Sequence, residues 1–486
     1  MDAEDLGREM DKLEEQQRGK GVTINQEEVE RDVARFVEVG KSGNMTEAVD
    51  GLLSIEKKGR LAEDPTSTKL ACCSVLRLLH ESRDYKGLQE KLVLLSKRRG
   101  QLKEVVKAMV RQSMEYVDEE GASEGLDRKT KEDVIKTLQS ITEGKIYVEI
   151  ERARITRHLA KMKEEDGDVN EAANILQEVA VETYGSMSKV EKIAYILEQV
   201  RLCLEKEDYI RAQILSRKVS PRAFVVRAVS KKGESSGEIG IEGTSIEPPA
   251  KGTPTLEELK IQYYTLMIKY YTYEKNYLEV CRSYRAILDT PSVSENPAAW
   301  ESALKHAAWY AVLAPRDSDQ ITLLNTTKED GRLDSLPLYQ SLLNQFSKDE
   351  ILWWNLLSQE FGEEIENQKD IFGTGGDERR KAWRLRVVEH NIYTISKFYS
   401  KISIQRLAEI LELSPNEAEE NLCDMVSERG LAVKIDRTSG TVTFGSAVSK
   451  SDVLNTWHNK IGSVLHLVEK TCQQIQKESQ IHKVTL

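Results

Sequence analysis

Apolar positions recur at intervals of three and four residues through most of the chain, which predicts amphipathic α-helices. Short polar steps interrupt the pattern, and each of them separates two apolar-periodic segments. Three of these steps are Asp84-Tyr85, Asp208-Tyr209 and Asn276-Tyr277. Their Asp or Asn can cap the second helix by accepting a backbone N–H. Gly167-Asp168 has the same place between two further segments. The pattern predicts a mainly α fold, a TPR-like helical-hairpin solenoid over residues 22–345.

Two stretches do not fit this pattern. Residues 1–21 are rich in charged and amide side chains and predict a disordered or frayed leader. Asp208 and Asn276 are further apart than Asp168 and Asp208, and the extra length corresponds to Ser230–Pro254. Glycine and proline are so frequent in that stretch that it cannot build a packed face. It therefore predicts a flexible insertion within the helical repeats.

A different order of elements follows in the module 346–446. An apolar helix from Trp383 to Tyr399 precedes a short β-like run, Ile402–Ile404, and a second helix, Gln405–Leu411. Ser414 and Glu417 form a capping box with Pro415 at the first position of a third helix. Two strands, Leu431–Ile435 and Thr441–Phe444, flank the turn residues Arg437–Gly440. Helix, strand, helix, helix and hairpin predict a winged helix at about 383–446.

The third helix of this module is acidic, which disfavours DNA because a DNA reader must neutralise phosphates. It carries Glu417, Glu419, Glu420, Asp424 and Glu428 before its first basic residue, Arg429. A protein-binding role is favoured, with the alternative that the module only closes the helical array. The short hairpin edge would accept a strand from a partner. The candidate interaction residues there are Ala432, Lys434, Thr441, Val442, Thr443 and Phe444.

The segment 447–486 predicts one long helix, from about Ser451 to Gln480. Its apolar residues recur at three and four positions: Leu454, Trp457, Ile461, Val464, Val468, Cys472 and Ile475. This seam needs a partner surface. It could fold back on the winged helix of its own chain, but its length favours bundling with helices of other chains, at least in its distal half. We therefore select Leu454, Trp457, Ile461, Val464 and Val468 as interaction residues.

Net charge and the positions of the cysteines restrict the classes of protein to which the chain could belong. The net charge of −11 argues against a generally nucleic-acid-binding surface. The basic run from Arg217 to Lys232 is the local exception and is typical of a solvated helix end and linker. Six cysteines show no paired spacing and predict buried free thiols in a reducing compartment. The polar N-terminal stretch and the lack of a long apolar run predict an intracellular protein without a membrane span.

No catalytic, metal or cofactor site is predicted. The sequence lacks HExxH and GxxxxGK[ST], and its seven histidines form no ligand-spaced cluster with carboxylates. Gly121–Gly125 matches GxSxG, but it lies between predicted helices instead of between a strand and a helix, so coincidence is the better interpretation. The glycines near Gly373 precede Asp377 and Glu378, whose charge would repel a phosphate.

Four segments carry a resemblance to a known family. They are Tyr284–Pro291, Val312–Pro315, Arg386–Asn391 with Ile402–Leu413, and Ala432–Arg437. Together with the order of elements, they resemble PCI-domain subunits, most closely those of the 26S proteasome regulatory-particle lid. Two alternative assignments are subunit four of the COP9 signalosome and a winged-helix nucleic-acid-binding protein. The insertion at 230–254 departs from the family pattern.

The resemblance implies a non-catalytic scaffold in a hetero-oligomeric complex, with no cofactor. Winged helices of neighbouring subunits would join edge to edge, and terminal helices would bundle. The implied partners are other PCI lid subunits, the lid deubiquitinase subunits, the proteasome ATPase ring and the core particle, with no direct nucleic acid and no membrane. The implied location is cytoplasm and nucleus.

Overall fold

The computed structural model describes residues 26–118, 128–224, 248–250, 252–373, 376–429, 431–445 and 450–484. The predicted leader, most of the predicted insertion and the GxSxG match lie outside these ranges. The chain divides into two compact units, one up to Tyr270 and one from Tyr271. The boundaries predicted from sequence at residues 345 and 446 stay predictions.

The first unit consists of successive antiparallel helices, as the apolar periodicity predicts. Its α-helices are Gln26–Lys41, Met45–Leu61, Pro65–Glu81, Tyr85–Lys97, Lys103–Asp118, Arg128–Thr142, Glu149–Glu165, Val169–Gln177, Lys189–Glu205 and Tyr209–Ser216. Short 3₁₀ turns are Ile146–Val148, Val181–Thr183 and Pro221–Phe224. The helix Leu256–Glu274 contains the boundary between the units.

One turn recurs between the helices. In five of these turns a residue with positive φ directly precedes the N-cap: Glu63, Arg83, Gly167, Glu207 and Lys275. The next amide bonds back to the helix before it, as Asp84 N–H does to the Leu79 carbonyl at 3.0 Å. The side chains of Asp84, Asp208 and Asn276 cap the following helices, as predicted. Asp168 occupies the same N-cap position without a side-chain cap, so that part of the prediction is wrong.

Buried ion pairs connect helices that are about one repeat apart. Glu56 is fully buried and pairs with Arg60 Nε at 3.3 Å and with Arg98. Arg154 donates to both carboxylate oxygens of Glu191, at 2.7 and 3.0 Å. A buried charge is costly unless it is paired, so these contacts constrain how successive repeats pack.

The second unit contains further helices, the winged helix and the C-terminal helix. Its α-helices are Tyr277–Leu288, Pro291–Ser294, Pro297–Leu313, Ser318–Lys328, Pro337–Ser347, Trp354–Asn367, Lys369–Phe372, Gly376–Phe398, Ile404–Leu411, Pro415–Arg429 and Lys450–Val484, with a 3₁₀ turn at Gly331–Ser335. Trp309 packs edge-on against Trp383 with ring centroids 5.7 Å apart. The helix predicted from Trp383 begins earlier, at Gly376, so Gly376 and Asp377 are helical.

The helix Gly376–Phe398 fixes the segment before Trp354 through two adjacent polar residues. Asn391 accepts from Leu352 N–H and donates to Leu352 C=O, both at 2.8 Å. His390 bonds the Glu350 carbonyl at 3.0 Å. Asn391 thus satisfies both buried backbone groups of one residue, as a neighbouring strand would.

The winged helix contains three strands: β1 (Lys401–Ser403), β2 (Val433–Asp436) and β3 (Thr441–Phe444). They form an antiparallel sheet in the order β1-β3-β2. The capping box is confirmed, with Glu417 accepting from Ser414 N–H at 3.1 Å and Ser414 Oγ accepting from Glu417 N–H at 3.3 Å. The predicted mainly α fold class with a helical solenoid and a winged helix is confirmed.

All six cysteines are free thiols, but not all of them are buried. Cys72, Cys203 and Cys281 are buried and Cys73 is half-buried, whereas Cys423 and Cys472 are exposed. The prediction of burial is therefore wrong for the last two. Their helices present these positions to solvent, although the surrounding pattern is apolar.

Candidate protein interaction site

β2 is an edge strand of the winged-helix sheet, because it pairs with β3 on one side alone within the described residues. Gly445 N–H donates to the Ala432 carbonyl at 2.9 Å, and the register continues with Lys434 opposite Thr443. Antiparallel ladders alternate, so the backbone groups of Ala432, Lys434 and Asp436 face β3. Those of Val433 and Ile435 face away from the sheet. They are the N–H and C=O groups that an added strand would use.

The structure corrects the predicted role of the second hairpin strand. β3 lies between β1 and β2, so its backbone groups are already paired on both sides. Val442 is fully buried and Phe444 nearly so, and both belong to the winged-helix core. They are not available as contact residues, and Thr441 and Thr443 are half-buried. Ala432 and Lys434 are exposed, as an interaction surface requires.

The third helix of the winged helix, Pro415–Arg429, is acidic in the structure as well. The nearby cation Arg437 donates through Nε to Glu419 at 2.7 Å and is thereby occupied. Hydrogen bonds from Ser414 lower the pKa of Glu417, so that carboxylate stays ionised. A phosphate backbone would meet negative charge here.

The C-terminal helix Lys450–Val484 presents an uncovered apolar stripe. All of its described side chains are exposed, including the predicted Leu454, Trp457, Ile461, Val464 and Val468. The alternative in which this helix packs against the winged helix of its own chain therefore does not describe this structure. Between Leu454 and Ile475 the stripe is available to a partner.

Two further exposed residues, Leu465 and Leu467, were missed by the sequence analysis. Leu465 follows Ile461 by four positions, so periodicity could have identified it. Leu467 follows Val464 by three positions, so the same periodicity could have identified it. With these residues the apolar face is wider than the narrow seam of a two-stranded coiled coil, and it suits a helix with more than one neighbour.

The basic run is only partly described. Lys218 pairs with Glu182 at 2.6 Å, while Arg217 and Arg222 are exposed. Arg227 and Lys231-Lys232 lie outside the described residues. These contacts indicate a solvated helix end.

Two of the buried thiols lie in surroundings that disfavour the thiolate. Burial raises the pKa of the Cys281 thiol to about 12, and burial beside Glu56 raises the pKa of Cys72 as well. A nucleophilic cysteine needs the opposite shift. Within the described ranges, no group of three or more His, Cys, Asp or Glu residues could hold a metal ion. None of the helices in these ranges has the length and apolarity needed to cross a bilayer.

Three family profiles match successive parts of the chain. The profile described as "PSMD12/CSN4, N-terminal" covers residues 47–231 and 246–296, and the PCI domain covers residues 359–446. The third, "26S proteasome regulatory subunit RPN5 C-terminal domain", covers residues 451–483. This last match coincides with the exposed C-terminal helix.

Relatives match over nearly the whole chain. The 26S proteasome non-ATPase regulatory subunit 12 homolog A of Arabidopsis thaliana is 46% identical, over 92% of this chain and 100% of its own. The 26S proteasome non-ATPase regulatory subunit 12 of Dictyostelium discoideum is 40% identical, over 92% of both chains. The 26S proteasome regulatory subunit RPN5 of Saccharomyces cerevisiae is 34% identical, over 90% of this chain and 91% of its own.

Proposed function

We propose that this chain, which belongs to the family of 26S proteasome non-ATPase regulatory subunit 12, is a non-catalytic scaffold subunit of the proteasome regulatory-particle lid. Its role would be to support assembly of the lid and ubiquitin-dependent protein degradation. It would do so by holding neighbouring subunits, including the deubiquitinase, in position.

The observation that carries this proposal is the uncovered apolar stripe of Lys450–Val484. Large exposed apolar patches are rare on monomeric proteins and mark interaction sites. A helix with such a stripe gains most from bundling with other helices, because the apolar area then leaves water. The match of residues 451–483 to a domain of a proteasome subunit supports the proposal that these helices belong to other proteasome subunits.

A second interaction would use the edge of β2. The outward backbone groups of Val433 and Ile435 suit strand addition by the winged helix of a neighbouring PCI subunit. Ala432 and Lys434 would flank that contact. The two surfaces would engage different neighbours, as expected for a subunit that holds a larger assembly together.

The alternative assembly is the COP9 signalosome, because the N-terminal profile is described by both the PSMD12 and the CSN4 names. The C-terminal profile carries a proteasome name alone, and the named relatives are proteasome subunits. These findings favour the proteasome. The proposed partners are other PCI lid subunits, the deubiquitinase subunits, the ATPase ring and the core particle, in cytoplasm and nucleus.

The test is native isolation of the tagged full chain, with mass spectrometry of what co-migrates at high mass. Proteasome lid and ATPase subunits in equal amounts are expected, whereas signalosome subunits would move the assignment to the alternative. Trp457→Asp with Ile461→Asp should abolish incorporation, since burying two unpaired charges costs several kcal/mol. The matched control is His466→Asp with Lys470→Asp, a pair of the same spacing on the opposite face. Normal incorporation of the first variant would refute the proposal.

A further inference from the structure

A large groove lies in the first unit. Its volume is about 840 Å³, and it is lined by the helices Lys103–Asp118, Glu149–Glu165 and Lys189–Glu205. Buried small and apolar side chains line part of it, including Ala153, Ala160 and Tyr195. This volume is within the range of ligand-binding clefts, roughly 300–1,000 Å³. The proposed scaffold function assigns it no role.

Most of the acidic side chains in the groove are already paired. Glu151 accepts from Arg111 at 2.8 Å and Glu191 accepts from Arg154 at 2.7 Å. Arg201 forms ion pairs with Glu164 and Glu198, with nitrogen-to-oxygen distances of 2.6 and 2.5 Å. Glu115 is the one further carboxylate among the described lining residues.

Two cations of the lining have no such partner. Arg157 and Lys161 lie one turn apart on Glu149–Glu165, on the same face as Arg154. Arg157 is half-buried and Lys161 is exposed, and neither forms an ion pair with an acid in the described part of the chain. The groove therefore presents two available positive charges on one row of a helix.

A piece of the same chain without regular secondary structure already lies in the groove. Pro248, Pro249 and Ala250 are among its lining residues, and Arg154 Nη2 donates to the Pro248 carbonyl at 3.4 Å. Arg154 is held in place by its paired bonds to Glu191. The contact shows that non-helical backbone fits beside this helix and accepts a hydrogen bond from a fixed donor.

We propose that this groove binds an extended acidic segment of a partner protein, whose carboxylates pair with Arg157 and Lys161. The spacing supports an alternating acidic sequence. Arg157 and Lys161 are separated by about 6 Å along the helix, at 1.5 Å per residue. Same-side residues of an extended chain are about 6.6 Å apart, at 3.3 Å per residue. Acidic residues at every second position therefore match the two cations.

The probe is a fluorescein-labelled octapeptide of alternating Glu and Thr, tested by fluorescence anisotropy against the full chain. Two reference peptides have alternating Lys and Thr, or the same composition as the probe with four Glu followed by four Thr. The alternating acidic peptide is expected to bind most tightly, with an affinity that falls as salt rises. Equal binding of the lysine peptide, or no binding of the acidic one, would overturn the proposal.

Variants locate the binding. The double variant Arg157→Glu with Lys161→Glu should weaken the affinity for the acidic peptide at least tenfold. The control, Lys69→Glu with Arg77→Glu, has the same charge change at exposed positions outside the groove and should leave the affinity unchanged. Unchanged affinity of the first variant would contradict the assignment. If the peptide bound only after residues 225–247 were replaced by a Gly-Ser linker of equal length, the occupant would be this chain itself and the partner proposal would fail. Circular dichroism verifies that the variants fold.

Discussion

Arg316 Nη1 lies 3.0 Å from Nδ1 of His390, which is 74 residues later in the chain. The other ring nitrogen, Nε2, is 3.0 Å from the Glu350 carbonyl and can only donate to it. Nδ1 must then accept from Arg316, so His390 is held as the neutral Nε2–H tautomer. Burial, with the adjacent Arg316 charge, lowers the pKa of His390 to about 4.

This contact makes stability depend on pH. Because the folded-state pKa is below the unfolded value of about 6.5, the unfolded chain binds the proton first as pH falls from 6.5 towards 4. The contribution of neutral His390 is therefore present above pH 6.5 and is lost through that window. Between pH 7 and pH 5 the loss is on the order of 2 kcal/mol.

Thermal unfolding of the wild type and of His390→Gln at pH 7 and pH 5 measures this contribution. The variant should be less stable at pH 7, and its melting temperature should fall less between the two pH values. The same pH-dependent change in both proteins would show that His390 does not titrate as described.

Val433→Pro tests the edge of β2. The Val433 N–H faces away from β3, so proline removes a donor for an added strand while the ladder within the hairpin is retained. Incorporation into the assembly is expected to fall several-fold, as measured by native mass spectrometry. Val433→Ala shortens the same side chain but keeps the N–H, so it should incorporate normally. Equal incorporation of both variants would mean that strand addition does not use this edge.

Glu56→Ala tests the buried ion pairs of the first unit. Removing the carboxylate leaves the Arg60 guanidinium buried beside Arg98, which costs roughly 3–5 kcal/mol. Glu409→Ala breaks an exposed pair with Arg406 and should leave the free energy of unfolding nearly unchanged. Urea unfolding monitored by circular dichroism compares the two. A small effect of Glu56→Ala would mean that water solvates this site.

Gly167→Ala tests the recurring turn. Gly167 has a φ of 90° and nothing within 4 Å of an added Cβ, so the effect of alanine is purely conformational. The left-handed conformation costs a residue with Cβ roughly 1–2 kcal/mol, and the variant should be destabilised by that amount. Gly185 also has open space but no positive φ, so Gly185→Ala should be neutral or slightly stabilising. Equal effects of the two substitutions in urea unfolding would exclude turn strain.

Local signals in the sequence predicted much of this fold. The Ser414–Glu417 capping box depends on residues three apart, and the helical stripe from Leu454 to Val468 follows from periodicity. The turns at Asp84, Asp208 and Asn276 were found for the same reason. Each of these features is decided within one or two helical turns.

Features that depend on distant pairing could not be predicted. The hairpin strands were recognised, but their place in the sheet depends on β1, which pairs with β3 from 40 residues earlier. This pairing makes β3 central and buries Val442 and Phe444. Likewise, nothing near His390 indicates Arg316 as its partner. The non-glycine residues with positive φ, such as Glu207, were missed because their side chains carry no turn signal.

The exposed C-terminal helix has a consequence for the lone chain. Its 35 residues extend over about 52 Å with their apolar stripe in water. A copy made without neighbours would be prone to self-association and to capture by factors that bind unfolded proteins. The concentration of this protein that stays in solution in a cell would then depend on the amounts of its partners. Its accumulation would therefore require balanced synthesis of all subunits.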